Sequence, residues 1–124
     1  MDPTLLVVDG ANVVGSVPDG WWRDRAGAAV RLRDRLARLA AAGSWPDLAG
    51  PVEVVLVVEG RARDIPATAG VRLERAPGSG DDAIVALVAA AGDRPAVVVT
   101  ADRALRERVA AHGAQVRGPR WLSG

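Results

Sequence analysis

The stretch Leu5-Leu6-Val7-Val8-Asp9-Gly10-Ala11-Asn12 constrains the fold more than any other in the chain. Its four apolar residues run without alternation, as suits a strand buried on both faces of a parallel sheet. The run stops abruptly at an acid. Gly10 follows, able to take backbone angles that other residues avoid, and Asn12 adds a polar amide within one turn. An Asp at the carboxyl end of such a strand stands where open α/β sheets place their ligands. The same Asp can equally cap the turn that follows, and this stretch leaves the two readings open.

The rest of the chain repeats the pattern. Residues 52–58 form the most β-like run, broken only by Glu53, and end at Glu59-Gly60. Residues 71–74 make a short strand, residues 96–100 a fourth buried run, and residues 115–117 an edge strand. Between the first two runs, Val13 to Gly20 reads as a turn-rich loop containing Gly15, Pro18 and Asp19-Gly20. A helix spans about 24–42, with Ala29, Leu32, Leu36 and Leu39 as its buried stripe. Gly43 closes it, as a C-terminal glycine does.

Ser44 to Pro51 is a loop, and Pro66 limits any helix in Arg61 to Gly70 to a turn. A flexible Ala76–Gly80 loop feeds a helix over 81–91, which ends at Gly92. Asp102 opens a last helix with Leu105, Val109 and His112 on one face. Strands alternating with helices predict an α/β, three-layer sandwich around a mainly parallel sheet of four or five strands. The first strand is expected at its centre. No repeat or linker divides the chain, so residues 1–124 read as a single domain.

Composition narrows the functional classes. The aromatic residues are four Trp, with no Phe or Tyr, so the core must be built from Val, Leu and Ala. Sixteen basic residues, all Arg, against fifteen acids leave a net charge of +1, so no global basic field argues for nucleic acid. Any such binding needs a local patch. The absence of Cys excludes disulfides and thiolate metal sites. The longest apolar runs fall far short of a membrane span, and no basic segment precedes the first, as a secretory signal would require. A cytoplasmic protein is the default expectation.

Right-handed crossovers place all strand carboxyl ends on one edge of the sheet. Asp9 ends the first strand there, Asp81 and Asp82 begin a helix on the same side, and Asp102 lies two residues past the fourth strand. Each of the last three, taken alone, is explained as a cap or as a partner of the helix dipole. Their joint placement with Asp9 is not. Clustered carboxylates repel unless a cation neutralises them. Oxygen-only ligands suit Mg²⁺ or Mn²⁺, and metal-activated water attacking a phosphodiester is the chemistry that follows.

Three motifs then carry a resemblance. Val8-Asp9-Gly10-Ala11-Asn12-Val13-Val14, Gly80-Asp81-Asp82-Ala83-Ile84 and Val98-Val99-Thr100-Ala101-Asp102-Arg103-Ala104-Leu105 resemble, in order and spacing, the motifs of PIN-like nucleases. The Asp-Gly-x-Asn form is similar to the NYN branch. The resemblance covers most of the chain and implies a PIN-like, Rossmann-like sheet, a divalent metal and cleavage of RNA. It places the metal acids at Asp9, Asp81 and Asp102, with Asp82 as the alternative to Asp81 and Asn12 and Thr100 as supporting polar groups. The family pattern usually carries a further acid, for which Glu59 matches by position alone.

Other residues are weighed against plainer roles. Trp21 and Trp22 follow the first loop; an exposed Trp can stack on bases, whereas at least one is expected to be core or a packing lid. Trp22, Arg103 and Arg61 are the candidates for nucleic-acid contact beside Thr100. Arg31, Arg35 and Arg38 read as a solvated helix face, and His112 as a partly buried or capping residue near a helix end. A non-catalytic PIN-like module that binds RNA or a protein partner is the competing reading, and a protein partner or a homodimer is left open on either. A metal-dependent phosphatase is weaker, because Gly10-Ala11 intervene where aspartyl phosphotransferases carry Asp-x-Asp.

Overall fold

Each stretch that the sequence predicts as a strand is one. In the computed structural model, which describes residues 2–123, these are β1 (Thr4–Asp9), β2 (Val52–Val58), β3 (Arg72–Arg75), β4 (Ala96–Val99) and β5 (Gln115–Arg117). They form one all-parallel sheet in the order β3-β2-β1-β4-β5, with β1 at its centre as expected. Register fixes the edge that matters: Asp9 stands opposite Val57 of β2, and Val8 opposite Val99 of β4.

Helices cover both faces. They are α1 (Gly10–Gly15), α2 (Arg25–Ala42), α3 (Gly80–Ala90) and α4 (Arg103–Ala110). Successive strand residues point to opposite sides of the pleat. Leu6, Val8, Leu56 and Val99 therefore pack under Ala29, Leu32 and Leu36 of α2. Leu5, Val7, Val55 and Val98 pack under Ile84 and Val88 of α3 and Leu105 and Val109 of α4. With β1 and β2 buried on both faces, the unalternated runs are accounted for.

The structure corrects the sequence reading locally. Residues 10–15 form α1, which begins directly after β1 and takes in Val13 to Gly15, the start of the expected loop. Asp9 makes this possible, because its carboxylate accepts from the Asn12 N–H at 3.3 Å and caps the helix. A helix of six residues with Gly at both ends gives too little periodicity to read. β3 lies one residue later than expected, and β4 ends at Val99. His112 lies beyond the end of α4 and is exposed, neither buried nor within the helix. No helix among the described residues is long and apolar enough to cross a membrane.

Candidate functional site

Asp9 sits at the carboxyl end of the central strand and is 4% exposed. It is one of two buried polar residues among those described, and the other, Thr100, lies beside it. The Thr100 hydroxyl donates to Asp9 Oδ2 at 2.9 Å and accepts from the Asp102 N–H at 3.1 Å. Asp102 in turn accepts the Leu105 N–H at 3.0 Å and caps α4. The Asn12 side chain accepts the Ala101 N–H at 2.8 Å, tying α1 to the loop after β4. Asp9, Asn12, Thr100 and Asp102 are thus one hydrogen-bonded unit across two strand ends.

The second half of the edge comes from β2 and α3. Glu59, directly after β2, accepts the Gly80 N–H at 3.0 Å and so meets the start of α3. The approach at Gly80 is close: a Cβ would lie 3.1 Å from the Glu59 carboxylate, which would have to shift by a few tenths of an ångström. Asp81 follows in the first turn, half-buried, whereas Asp82 is exposed and pairs with Arg108 at 3.0 Å. The two neighbours therefore face different surroundings.

Electrostatics treats the edge as one cluster. Burial raises the Asp9 carboxyl above its ordinary range; its bonds to Thr100 and the Asn12 N–H oppose this, while the charges of Asp81 and Glu59 add to it. Asp81 is raised too, by partial burial and then by Asp102 and Glu59, with Arg108 opposing. Among the described residues, none of the ion pairs involves Asp9, Glu59, Asp81 or Asp102.

The donor chemistry of these oxygens fits a hard divalent cation. Their side-chain positions do not close into a ligand set, since no group of three or more His, Cys, Asp or Glu side chains among the described residues is arranged to hold a metal ion. Asp9 and Asp102 also do the capping work that a purely structural reading assigns to them.

The cationic and aromatic candidates flank this edge. Arg61 is exposed in the turn after Glu59, and Arg103 is exposed in the first turn of α4. Trp22 is 55% exposed, and Trp21, half-buried, meets it edge to face with ring centres 5.9 Å apart. Of the α2 arginines, Arg31 lies 3.9 Å from Asp19 and Arg35 bonds Ser123, as residues of a solvated face do. Sequence reasoning missed Arg25, whose guanidinium lies over the Trp21 ring at 5.4 Å. The signal was present in Trp21-Trp22-Arg23-Asp24-Arg25, where basic and aromatic residues interleave.

The all-parallel five-stranded sheet, clad on both faces and carrying acids along its carboxyl edge, is an α/β three-layer sandwich, an architecture consistent with a PIN-like fold. The same fold is found in the crystal structure of Rae1 (YacP) from Bacillus subtilis, determined as a point mutant. It matches with a TM-score of 0.67 at 20% identity, over 96% of this chain and 71% of that one. No family model and no curated protein matches the chain.

Proposed function

We propose that this protein is a metal-dependent ribonuclease that hydrolyses RNA phosphodiesters at the carboxyl edge of its sheet. The observation that carries this reading is a set of acids, Asp9, Glu59, Asp81 and Asp102, gathered around a buried carboxylate with no ion-paired cation. Asp9, Asp81 and Asp102 are the proposed ligands of Mg²⁺ or Mn²⁺, with Asp81 favoured over Asp82 because Asp82 is committed to Arg108. A divalent cation bound there would neutralise phosphate charge and lower the pKa of an attacking water. Asn12 and Thr100 act as positioning residues: the Thr100 hydroxyl orients Asp9, and the Asn12 amide fixes the loop that carries Asp102. Arg103 and Arg61 are proposed to meet the RNA phosphates and Trp22 a base.

Incubating the purified protein with mixed RNA and Mn²⁺, beside Asp9→Asn, tests this. Cleavage by wild type and not by the variant is expected; no cleavage by wild type defeats the reading. The second reading, a non-catalytic module that binds RNA or a protein partner, draws on the caps at Asp9 and Asp102 and on side chains that do not converge as a ligand set. On that reading, RNA is bound and left intact.

A further inference from the structure

Two adjoining clefts share Arg25 and Arg61, and the first begins beside Glu59 at the acidic edge. The nearer, about 370 Å³, opens beside Gly10 and Glu59 over an apolar floor of Val14, Ala29 and Val58, with Trp21 lining it. The farther, about 610 Å³, is bordered by Trp22 and Arg23. The Arg23 guanidinium lies over the Trp22 ring at 5.8 Å. Arg23, Arg25 and Arg61 make no ion pair and no side-chain hydrogen bond among the described residues, whereas Arg33, Arg94, Arg108 and Arg117 are each tied to an acid. Cations paired with no acid among the described residues thus alternate with indole surfaces along one path that starts beside Glu59.

From this path we infer a strand-binding track. Consecutive unpaired nucleotides run from the acidic edge toward the Trp21–Trp22 turn, one base entering the Trp21 cleft and the next stacking at Trp22. Arg25 and Arg61, common to both clefts, hold the phosphate between them. The inference rests on the ribonuclease reading for the identity of the strand as RNA. A duplex does not satisfy the same surface, because its base faces are already stacked and only edges and phosphates remain outside. Base–aromatic stacking is tolerant of sequence, so the track selects unpaired strands more than particular bases.

The test measures binding to wild-type protein in chelator, so that metal-supported cleavage plays no part. The probes are a ten-nucleotide adenylate RNA, an abasic strand of equal length and an RNA duplex. The adenylate strand is expected to bind about tenfold tighter than the abasic one, the scale of a single base–aromatic stack, and to quench tryptophan emission. Trp21→Leu and Trp22→Ala should each shrink that ratio. Arg25→Gln and Arg61→Gln should weaken adenylate and abasic strands alike and reduce the salt dependence. Equal binding of adenylate and abasic strands, a ratio unchanged in both Trp variants, or preference for the duplex overturns the track. Should Trp21→Leu not fold, quenching in wild type decides, and its absence overturns the inference. Cleavage without stacking sinks the track alone, and stacking without cleavage sinks the ribonuclease reading alone.

Discussion

The two edges of the sheet handle acidic residues in opposite ways. Beside the amino ends of the strands, Glu53 is paired to Arg94 at 2.6 Å. Asp47 accepts from Arg117 and from the Trp121 indole, and those bonds hold its carboxyl below the usual range. At the carboxyl edge Asp9 is buried without a cation and pushed upward. Every acid on the first edge named here is neutralised by an Arg of the same chain. The second edge leaves its charge unbalanced in a protein with sixteen Arg available. Stability alone accounts for the first arrangement. The second costs stability, a cost that a bound cation would offset.

The largest expected effect separates the edges by activity. Asp9→Asn should bring Mn²⁺-supported RNA cleavage to background, while Asp47→Asn leaves the initial rate unchanged; equal losses in both variants would break the contrast.

Melting curves sharpen it next. A cation bound only by the native arrangement adds about 2.7 kcal/mol at a hundred times its dissociation constant, or roughly 10 °C for a domain of this size. Wild type should gain this with Mn²⁺. Asp9→Asn should melt higher than wild type without metal and gain nothing with it. Asn can still accept at one oxygen, and the Thr100 hydroxyl can turn to accept from its amide. A wild type indifferent to millimolar Mn²⁺, with a variant that melts lower, would make Asp9 a cap and nothing more.

Gly10→Ala probes the close approach that lets the edge form. An added Cβ would stand 2.5 Å from the Val57 carbonyl oxygen and 3.3 Å from Leu56 Cδ1. Backbone cannot yield cheaply there, so urea unfolding should show a loss of about 1–3 kcal/mol, the usual range for overpacking.

A pH series has a defined sign. The native Asp9 carboxyl holds its proton to higher pH than the unfolded one, whose ordinary value is 3.8. The native state therefore binds more protons between those two values, and metal-free stability falls as pH rises through that window. Asp9→Asn should flatten that part of the profile, and a decline of unchanged size in the variant would assign it to other groups. Smallest of all, Asp47→Asn should lower the melting temperature slightly at low ionic strength and by less in high salt, because its charged partner Arg117 is met at the surface.

Much of the sheet was legible because burial on both faces leaves a direct trace. Leu5–Val8, Val54–Val58 and Ala96–Val99 are unbroken apolar runs of strand length, as a strand covered on both faces requires, whereas the longer run Ala83 to Ala90 belongs to α3. The ends of α2 were legible too, since Gly43 takes a positive φ of 64° at the C-cap. α1 was not, because it is held by a side-chain cap and by packing against β2, and neither leaves a periodic signal. Asp9, Asp81 and Asp102 could be picked out from strand-end logic and motif spacing. Glu59 could be placed only by position, because its bond to the Gly80 N–H joins residues that are 21 apart. The role of Thr100 as the joint between Asp9 and Asp102 likewise depends on how β1 and β4 lie side by side.

The central place of β1 carries a consequence for how the chain comes together. Thr4 pairs with Val52, and Leu5 with Ala96, so the two ladders of β1 close over separations of 52 − 4 = 48 and 96 − 5 = 91 residues. No strand of this sheet meets its neighbour through a hairpin, and such non-local pairing slows folding. During synthesis Leu5 to Val8 leave the ribosome well before either partner exists and remain a bare apolar strand with two open edges. Chains halted before residue 58 should therefore aggregate or recruit chaperones, whereas chains released after residue 117 can complete the sheet.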